Sequence, residues 1–314
     1  MFPGSKAVIT ACLIALPLFV AAFDVSLLAS ILLVAGLLIW LWFNSLSGLL
    51  RRDAGSSLVL DTISMSHFVE KARWCLDRLG LDYHENKSNG LLGVIFTGRT
   101  VPRLRFRSGV VESSIGHSPE ILRFLWGQYG VRLAEDAAFL EPTPEALELE
   151  KKIDRYGADL QVWVYYHVLP HRGLTLRLWG AEDPDVPWWQ RKLAQPLFPL
   201  MAAFLRRTFR IDGAHYAKAV EHVDKMLADV EQRLQGGGRY LLSEDSLSFV
   251  DVTFAAISGL WQQPPNYGGG QAEDCRVPFE ELPEAAREDV ERWRQTYPLA
   301  SEFIERMYAE ERFK

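Results

Sequence analysis

The chain has 314 residues, of which 48% are hydrophobic, and its formal net charge is -6 at pH 7. This length allows two ordinary domains, and the composition excludes a disordered chain, a collagen-like chain and a small disulfide-rich protein. The acidic balance argues against a general nucleic-acid-binding protein, which needs a basic surface. The three cysteines have neither metal-ligand nor C-x-x-C spacing, so the sequence predicts no metal site.

The first 50 residues differ from the rest of the chain, because they contain only two charged residues, Lys6 and Asp24. Residues 7–23 and residues 25–43 are both free of charge. As helices that rise 1.5 Å per residue, both are long enough to cross most of the ~30 Å hydrocarbon layer of a bilayer. The sequence therefore predicts a membrane anchor at 1–50, with the lipid bilayer as a partner.

Basic residues flank this anchor, since Lys6 precedes it and Arg51 and Arg52 follow it. Because cytoplasmic flanks are rich in basic residues, the pattern favours a transmembrane helical hairpin with the soluble body facing the cytoplasm. A cleaved signal peptide followed by a single anchor is an open alternative. One long tilted helix is disfavoured, since it would bury Asp24 in lipid.

The first half of the body predicts the order β-α-β-loop-β-β-α. A β-rich run at 58–63 precedes a polar turn and a helical pattern at 68–79, which Gly80 ends. The remaining elements are expected as strands at 81–84, 101–106 and 110–111 and as a helix at 118–126. Ser118 followed by Pro119 is a favourable start for that last helix.

Four groups of residues in this half have the order and spacing found in the glutathione transferase superfamily, which the chain therefore resembles. They are residues 66–73, residues 80–83, residues 100–104, and Glu112 with Ser113. The resemblance implies an α/β thioredoxin-like glutathione-binding domain at 57–128 and an all-α C-terminal domain at 143–314. It also implies glutathione as co-substrate.

The same resemblance implies a site. Ser66 takes the catalytic position, where its hydroxyl stabilises the glutathione thiolate. Pro102 is expected after a cis peptide bond, with the Val101 backbone pairing with the cysteinyl part of glutathione like an added strand. Glu112 and Ser113 are expected to bind the γ-glutamyl end. Each residue also has an ordinary explanation: a helix N-cap, a strand-edge proline and a solvated turn.

The sequence departs from the family pattern at two places. His67 stands where the family usually has proline, and the segment from Ser113 to Glu120 is longer than usual. Ser64 and Thr62 are nearby hydroxyls that compete with Ser66 for the catalytic role. These departures concern the catalytic assignment more than the fold.

The second half is predominantly helical in pattern. Ser248 and Asp251 have the spacing of a capping box, which we interpret as structural. Trp163, Tyr166 and Trp261 are candidates either for an electrophile pocket or for the core. Residues 187–210 combine many apolar side chains with basic ones, which fits either a buried helix or a segment lying on a bilayer.

Together these patterns predict a membrane-anchored glutathione S-transferase-like protein. It would conjugate the glutathione thiolate to hydrophobic electrophiles or reduce lipophilic peroxides, a detoxification role, and the family allows a homodimer. The alternative is a non-catalytic protein of the same fold, similar to metaxins, with a docking or sensing role at a membrane.

Overall fold

The computed structural model describes residues 56–87, 101–108, 111–272 and 275–313, together with the single positions 32, 35, 36 and 39. Apart from those four positions, the predicted anchor at 1–50 lies outside the described residues. Within the described parts of the chain, no helix is both long enough and apolar enough to cross a membrane.

Four strands form one mixed sheet in the order β2-β1-β3-β4. They are β1 (Ser56–Asp61), β2 (Tyr83–Asn86), β3 (Arg103–Ser108) and β4 (Val111–Gly116). Strand β1 is parallel to β2 and antiparallel to β3, and β4 is antiparallel to β3. Because parallel strands need a crossover, helix α1 (His67–Arg78) connects β1 to β2, and helix α2 (Ser118–Tyr129) follows β4.

The rest of the described chain is helical. Its helices are α3 (Ala134–Ala137), α4 (Pro144–Val168), α5 (Arg172–Leu178), α6 (Trp188–Phe209), α7 (Gly213–Leu234), α8 (Phe249–Gln262), α9 (Glu284–Thr296) and α10 (Pro298–Arg306). Short 3-10 turns lie at Ala138–Leu140, Tyr267–Gly270 and Phe279–Glu281, and a π turn lies at Met307–Glu311. This architecture confirms the predicted thioredoxin-like domain followed by an all-α domain.

Helix α8 is the central element of the helical domain, since every one of its residues is buried. It contacts α1 on one side and α4 on the other. A helix buried all round needs apolar residues on every face, which explains its nearly continuous apolar sequence.

The predicted capping interaction begins α8. The Ser248 hydroxyl and backbone N–H donate to one oxygen of Asp251 at 2.7 and 2.8 Å, and the Leu241 N–H donates to the other at 2.7 Å. Burial raises the pKa of the Asp251 carboxyl, while these hydrogen bonds act in the opposite direction. Asp251 therefore joins the loop before α8 to the start of the helix.

Buried ion pairs connect α1 to the helical domain. Lys71 contacts Glu150 at 2.7 Å and Asp154 at 3.1 Å, although Lys71 is fully buried. On the same helix, Arg73 pairs with Glu70, and Arg312 near the carboxyl terminus also reaches Glu70, at 3.0 Å. Buried charges persist only when they are paired, so these contacts fix the position of α1 and of the residues at its start.

Candidate functional site

A cavity of about 500 Å³ lies between the thioredoxin-like domain and the helical domain. One wall comprises the start of α1, the Val101–Pro102 segment and the start of α2. The opposite wall comprises one face of α4 together with side chains from α5, α6 and α8. A mostly apolar cavity of this size with a few polar groups is typical of a site for a small molecule.

Ser66 lines this cavity and is also the N-cap residue of α1. Its hydroxyl oxygen accepts a hydrogen bond from the Val69 N–H at 3.4 Å. A serine hydroxyl can accept one bond and still donate another, and nothing in the described residues accepts the Ser66 proton. Ser66 is therefore a helix N-cap whose hydroxyl can still donate to a ligand in the cavity, at the positive end of α1.

The Val101–Pro102 peptide bond is cis, as the resemblance implied. Both residues line the cavity and directly precede β3. The backbone N–H and C=O of Val101 make no backbone hydrogen bond to the described residues. This backbone is therefore available to pair with an extended ligand in the manner of an added strand.

Glu112 and Ser113 do not lie at the start of a helix. They belong to strand β4, where Glu112 pairs with Arg107 and Ser113 with Phe106. Ser113 is exposed and does not line the cavity. The sequence predicted a strand at 110–111 only, but the strand continues to Gly116, which accounts for the long segment that follows Ser113 in the sequence.

His117 and Ser118 occupy the position at the start of α2, and both line the cavity. Ser118 is buried, whereas the His117 side chain is exposed. His117 has φ 66° and ψ 129°, an unfavourable conformation for a residue with a side chain. The N–H groups of the first helical turn lack helical partners, so this end of α2 can receive an anion such as a carboxylate. The Ser118-Pro119 pattern was the sequence signal for this position.

His67, which stands where the resembled family usually has proline, joins α1 to α4. Its ring is buried, and Nε2 donates to the Gly157 carbonyl oxygen at 3.0 Å. Burial lowers the pKa of His67 to about 4, while the hydrogen bond to Gly157 acts in the opposite direction. The imidazole is therefore neutral at pH 7 and holds the start of α1 against the helical domain.

The two competing hydroxyls lie outside the cavity lining. Ser64 is buried and donates to Asp183 at 2.8 Å, and Lys87 pairs with the same carboxylate at 2.9 Å. Thr62 is fully buried. Of the three hydroxyls considered from the sequence, Ser66 is the one that lines the cavity.

The helical wall supplies one carboxylate and several aromatic rings. Asp154 is the acidic residue among the described residues that line the cavity. Burial raises the pKa of Asp154, and Lys71 at 3.1 Å opposes that rise. Tyr165 of α4, Trp179 and Phe209 give the wall its aromatic character.

The aromatic residues singled out from the sequence lie elsewhere. Trp163 and Trp261 are buried in the core and do not line this cavity. Tyr166 is exposed and stacks on Tyr216, with ring centroids 4.0 Å apart. Tyr165, one position earlier on α4, faces the cavity instead, because adjacent residues of a helix point about 100° apart.

A thioredoxin-like domain followed by an all-helical domain is the arrangement that the resemblance implied. The described part of the chain thus has the fold of the glutathione transferase superfamily. No protein-family model and no curated protein matches the chain.

Solved structures with a similar fold include a glutathione S-transferase from Methylobacterium radiotolerans in complex with glutathione sulfonate. It is 16% identical, has a TM-score of 0.49, and the alignment covers 82% of this chain and 92% of that one. A maleylacetoacetate isomerase from Anaeromyxobacter dehalogenans, with bound dicarboxyethyl glutathione and citrate, is 15% identical at a TM-score of 0.44, over 84% and 91% of the two chains. A theta class glutathione S-transferase from Xanthomonas axonopodis pv. citri with glutathione bound is 17% identical at a TM-score of 0.35, over 80% and 97%. At these identities and scores the likeness decides nothing about activity.

Proposed function

We propose that the protein binds glutathione in the cavity between its two domains and uses the thiolate to attack a hydrophobic electrophile or to reduce a lipophilic peroxide. The observation that carries this proposal is the position of Ser66. It lines the cavity at the start of α1, and its hydroxyl proton has no acceptor in the described residues.

The chemistry asked of Ser66 is stabilisation of a thiolate. An unperturbed cysteine thiol has a pKa of about 8.5, so at neutral pH most of it is protonated and unreactive. A hydrogen bond from the Ser66 hydroxyl to the sulfur favours the charged form. The positive end of α1 acts in the same direction. Serine itself cannot form a mixed disulfide, so the proposed reaction is conjugation by the bound thiolate or reduction of a peroxide by two glutathione molecules. In the reduction, the bound thiolate takes one oxygen and becomes a sulfenic acid while the peroxide leaves as an alcohol, and a second glutathione then converts the sulfenic acid to the disulfide with release of water.

The other polar groups of the cavity suit the rest of glutathione. The Val101 backbone supplies a donor and an acceptor for the cysteinyl part. The start of α2 at Ser118 suits the γ-glutamyl carboxylate, a role that the resemblance implied for Ser113. Asp154 is a carboxylate for the γ-glutamyl ammonium group. The assignment to Ser118 replaces Ser113 with a residue that lines the cavity, whereas Glu112 stays a predicted partner of the ammonium group.

The apolar part of the cavity suits the second substrate. Tyr165, Trp179 and Phe209 lie on the helical side, opposite the start of α1. Aromatic walls bury apolar surface and contact flat or extended molecules. A hydrophobic electrophile held there would face the sulfur bound at Ser66.

We also propose that residues 1–50 anchor the protein in a membrane, with the body facing the cytoplasm. Support comes from the sequence, which places two charged residues in this segment. Asn86, Lys87 and Ser88 form a glycosylation sequon, which would be modified only in a luminal body. A shift in mass at Asn86 on expression in a eukaryotic secretory membrane would contradict the cytoplasmic orientation. The homodimer that the family allows is testable by the mass of the detergent-solubilised chain.

A second candidate function is non-catalytic docking or sensing at a membrane, as in metaxin-like proteins. His67 in place of the usual proline favours this candidate, and so does the position of Ser113 outside the cavity. It requires the fold, but no turnover of a thiol substrate.

Binding to immobilised glutathione and a thiol-conjugation assay distinguish the two candidates. The full chain in detergent should be retained by glutathione, and Ser66→Ala should lower conjugation without abolishing retention. Ser248→Ala is the matched control, because Ser248 also begins a helix but does not line the cavity. No retention would overturn glutathione binding, whereas retention without turnover would favour the docking or sensing role.

A further inference from the structure

Helix α6 has an apolar face that points away from the body of the protein. Trp189 and Leu193 are each 45% exposed, Leu200 is 63% exposed and Phe204 is 42% exposed. These residues are spaced by four, seven and four positions, so they share one face of the helix. Trp188, at the start of the same helix, is 64% exposed. Large apolar side chains exposed together in this way indicate an interaction surface.

The opposite face of α6 already provides its packing. Ala194, Phe198, Met201 and Leu205 are buried in a cluster with residues of α5 and the end of α4. Pro199 cannot donate to the carbonyl of Gln195, and Arg172 donates to that carbonyl instead, at 2.5 Å. The helix is therefore held in place without its outer face, whose apolar side chains none of the described residues covers.

The charge of the same segment is unlike that of the chain. Residues 186–211 contain five basic residues and no acidic one, although the whole protein has a formal charge of -6. They are Arg191, Lys192, Arg206, Arg207 and Arg210. Lys192 lies over the Trp188 ring at 5.3 Å. Basic residues at both ends of an apolar, tryptophan-bearing face match the boundary between lipid tails and anionic headgroups.

We propose that the outer face of α6 lies on a bilayer that contains anionic phospholipid. Leu193, Leu200 and Phe204 would enter the acyl boundary, and the flanking basic residues would contact phosphates. Segment 1–50 is apolar enough to cover this face, but it contains a single acidic residue and cannot pair with five basic ones. Anionic lipid complements both the apolar side chains and the basic ones, so we favour lipid as the partner. This inference goes beyond the proposed function and does not depend on glutathione binding.

The same helix also forms part of the cavity wall, through Leu205 and Phe209. A bilayer on its outer face would therefore bring lipid-dissolved molecules next to the apolar side of the cavity. This consequence, unlike the contact itself, rests on the proposed function, and it restricts the second substrate to amphiphilic or lipid-derived molecules.

The test uses the full chain inserted into vesicles of phosphatidylcholine and phosphatidylserine. Cys75 and Cys275 are buried, so a Cys12→Ser chain accepts an environment-sensitive fluorophore at an added cysteine. One variant carries Leu200→Cys, and the matched control carries Val131→Cys, an apolar residue that is 94% exposed and outside α6. Quenching is measured with brominated lipid and, separately, with aqueous iodide.

For contact about 5–10 Å below the headgroups, brominated lipid should quench the fluorophore at position 200 roughly twofold and leave position 131 unchanged. Iodide should show the reverse order. Arg206→Glu with Arg207→Glu should weaken the lipid quenching, as should vesicles without phosphatidylserine. Glutathione retention of the labelled protein is measured in parallel, so that loss of the proposed function is recognised separately.

Three results would overturn the proposal. Full access of iodide to position 200 would mean that the face stays in water. Protection from iodide without lipid quenching would mean that residues 1–50 or a second copy of the chain covers the face. Equal lipid quenching at positions 200 and 131 would mean that the whole body approaches the membrane without a specific contact at α6.

Discussion

Ser248 and Ser66 are both N-cap residues of helices, but their hydroxyl groups differ in whether they donate a hydrogen bond. Ser248 begins α8, and its hydroxyl donates a hydrogen bond to Asp251 at 2.7 Å. Ser66 begins α1, accepts from the Val69 N–H, and has no acceptor for its own proton in the described residues. The difference comes from the residue three positions after each serine. Asp251 has a carboxylate that accepts a hydrogen bond, whereas the Val69 side chain has no acceptor. We call the cap at Ser248 closed, because its hydroxyl already donates to the residue three positions later, and the cap at Ser66 open, because its hydroxyl can still donate to a ligand.

Removal of the Asp251 carboxylate from the closed cap should have the largest effect on stability. Asp251→Val would give α8 the same third residue that α1 has, and would leave the N–H groups of Leu241 and Ser248 without their acceptor. Unsatisfied buried donors cost about 1–3 kcal/mol each, so the free energy of unfolding should fall by about 4 kcal/mol. Urea denaturation of the full chain in detergent measures this loss.

Asp245→Val is the control for that experiment, because Asp245 is exposed in the preceding turn. It should change stability by less than about 0.5 kcal/mol. Equal losses for the two variants would show that Asp251 has no special role. Glutathione retention by the folded fraction should be unchanged in both.

The residues that follow the two capping serines are both buried, but they differ in whether they can titrate. Phe249 follows Ser248 and is apolar, whereas His67 follows Ser66 and can bind a proton. The pKa of His67 is lowered from 6.5 to about 4. In the unfolded chain the imidazole binds a proton below pH 6.5, whereas the folded protein resists protonation until about pH 4. Acid therefore favours unfolding, and up to about 3 kcal/mol of stability should be lost as the pH falls through this window.

His67→Gln removes this titration and retains a side-chain donor for the Gly157 carbonyl. Stability measured between pH 7 and pH 4 should therefore fall less in His67→Gln than in the native chain. The difference between the two curves isolates His67 from the carboxylates that also titrate in acid. Parallel curves would contradict a neutral buried His67.

The open cap itself is tested by the pKa of a bound thiol. Ser66→Ala should raise the pKa of the glutathione thiol in the complex by about one unit, which corresponds to about 1.4 kcal/mol. The ultraviolet absorbance of the thiolate, followed against pH, reports this shift. Ser248→Ala should lower stability by about 1 kcal/mol and leave the thiol pKa unchanged. An unchanged pKa in Ser66→Ala would remove Ser66 from the chemistry.

The sequence predicted the order of elements well, because local signals carry most of it. Gly80 ends α1 and Ser118 begins α2, where the patterns indicated. The position of Ser66 before α1 and the cis Val101–Pro102 bond followed from the resemblance, since both lie in the short motifs that carry it. These features depend on neighbours within a few residues, which the sequence displays directly.

The remaining part of the site depends on contacts between distant segments. Residues 111–116 alternate only weakly between apolar and polar side chains, and they contain two serines and a glutamate. Their local preference for a strand is therefore low, and the strand forms because β3 pairs with them. That pairing places Ser113 on β4, outside the cavity lining. The orientation of α4 about its own axis was equally unpredictable, because the sequence does not show whether Tyr165 or Tyr166 faces the other domain.

Ser113 and Ser118 provide the last and smallest test of the comparison between serines. Ser118 is buried at the start of α2 and lines the cavity, whereas Ser113 is exposed on β4. If the γ-glutamyl carboxylate binds at the helix start, Ser118→Ala removes one hydrogen bond and should weaken glutathione binding by about 1 kcal/mol, which is several-fold in affinity. Ser113→Ala should bind as the native chain does, as measured by calorimetric titration with glutathione. The reverse order would restore the assignment made from the sequence, and it would require β4 to leave its pairing with β3 when glutathione binds.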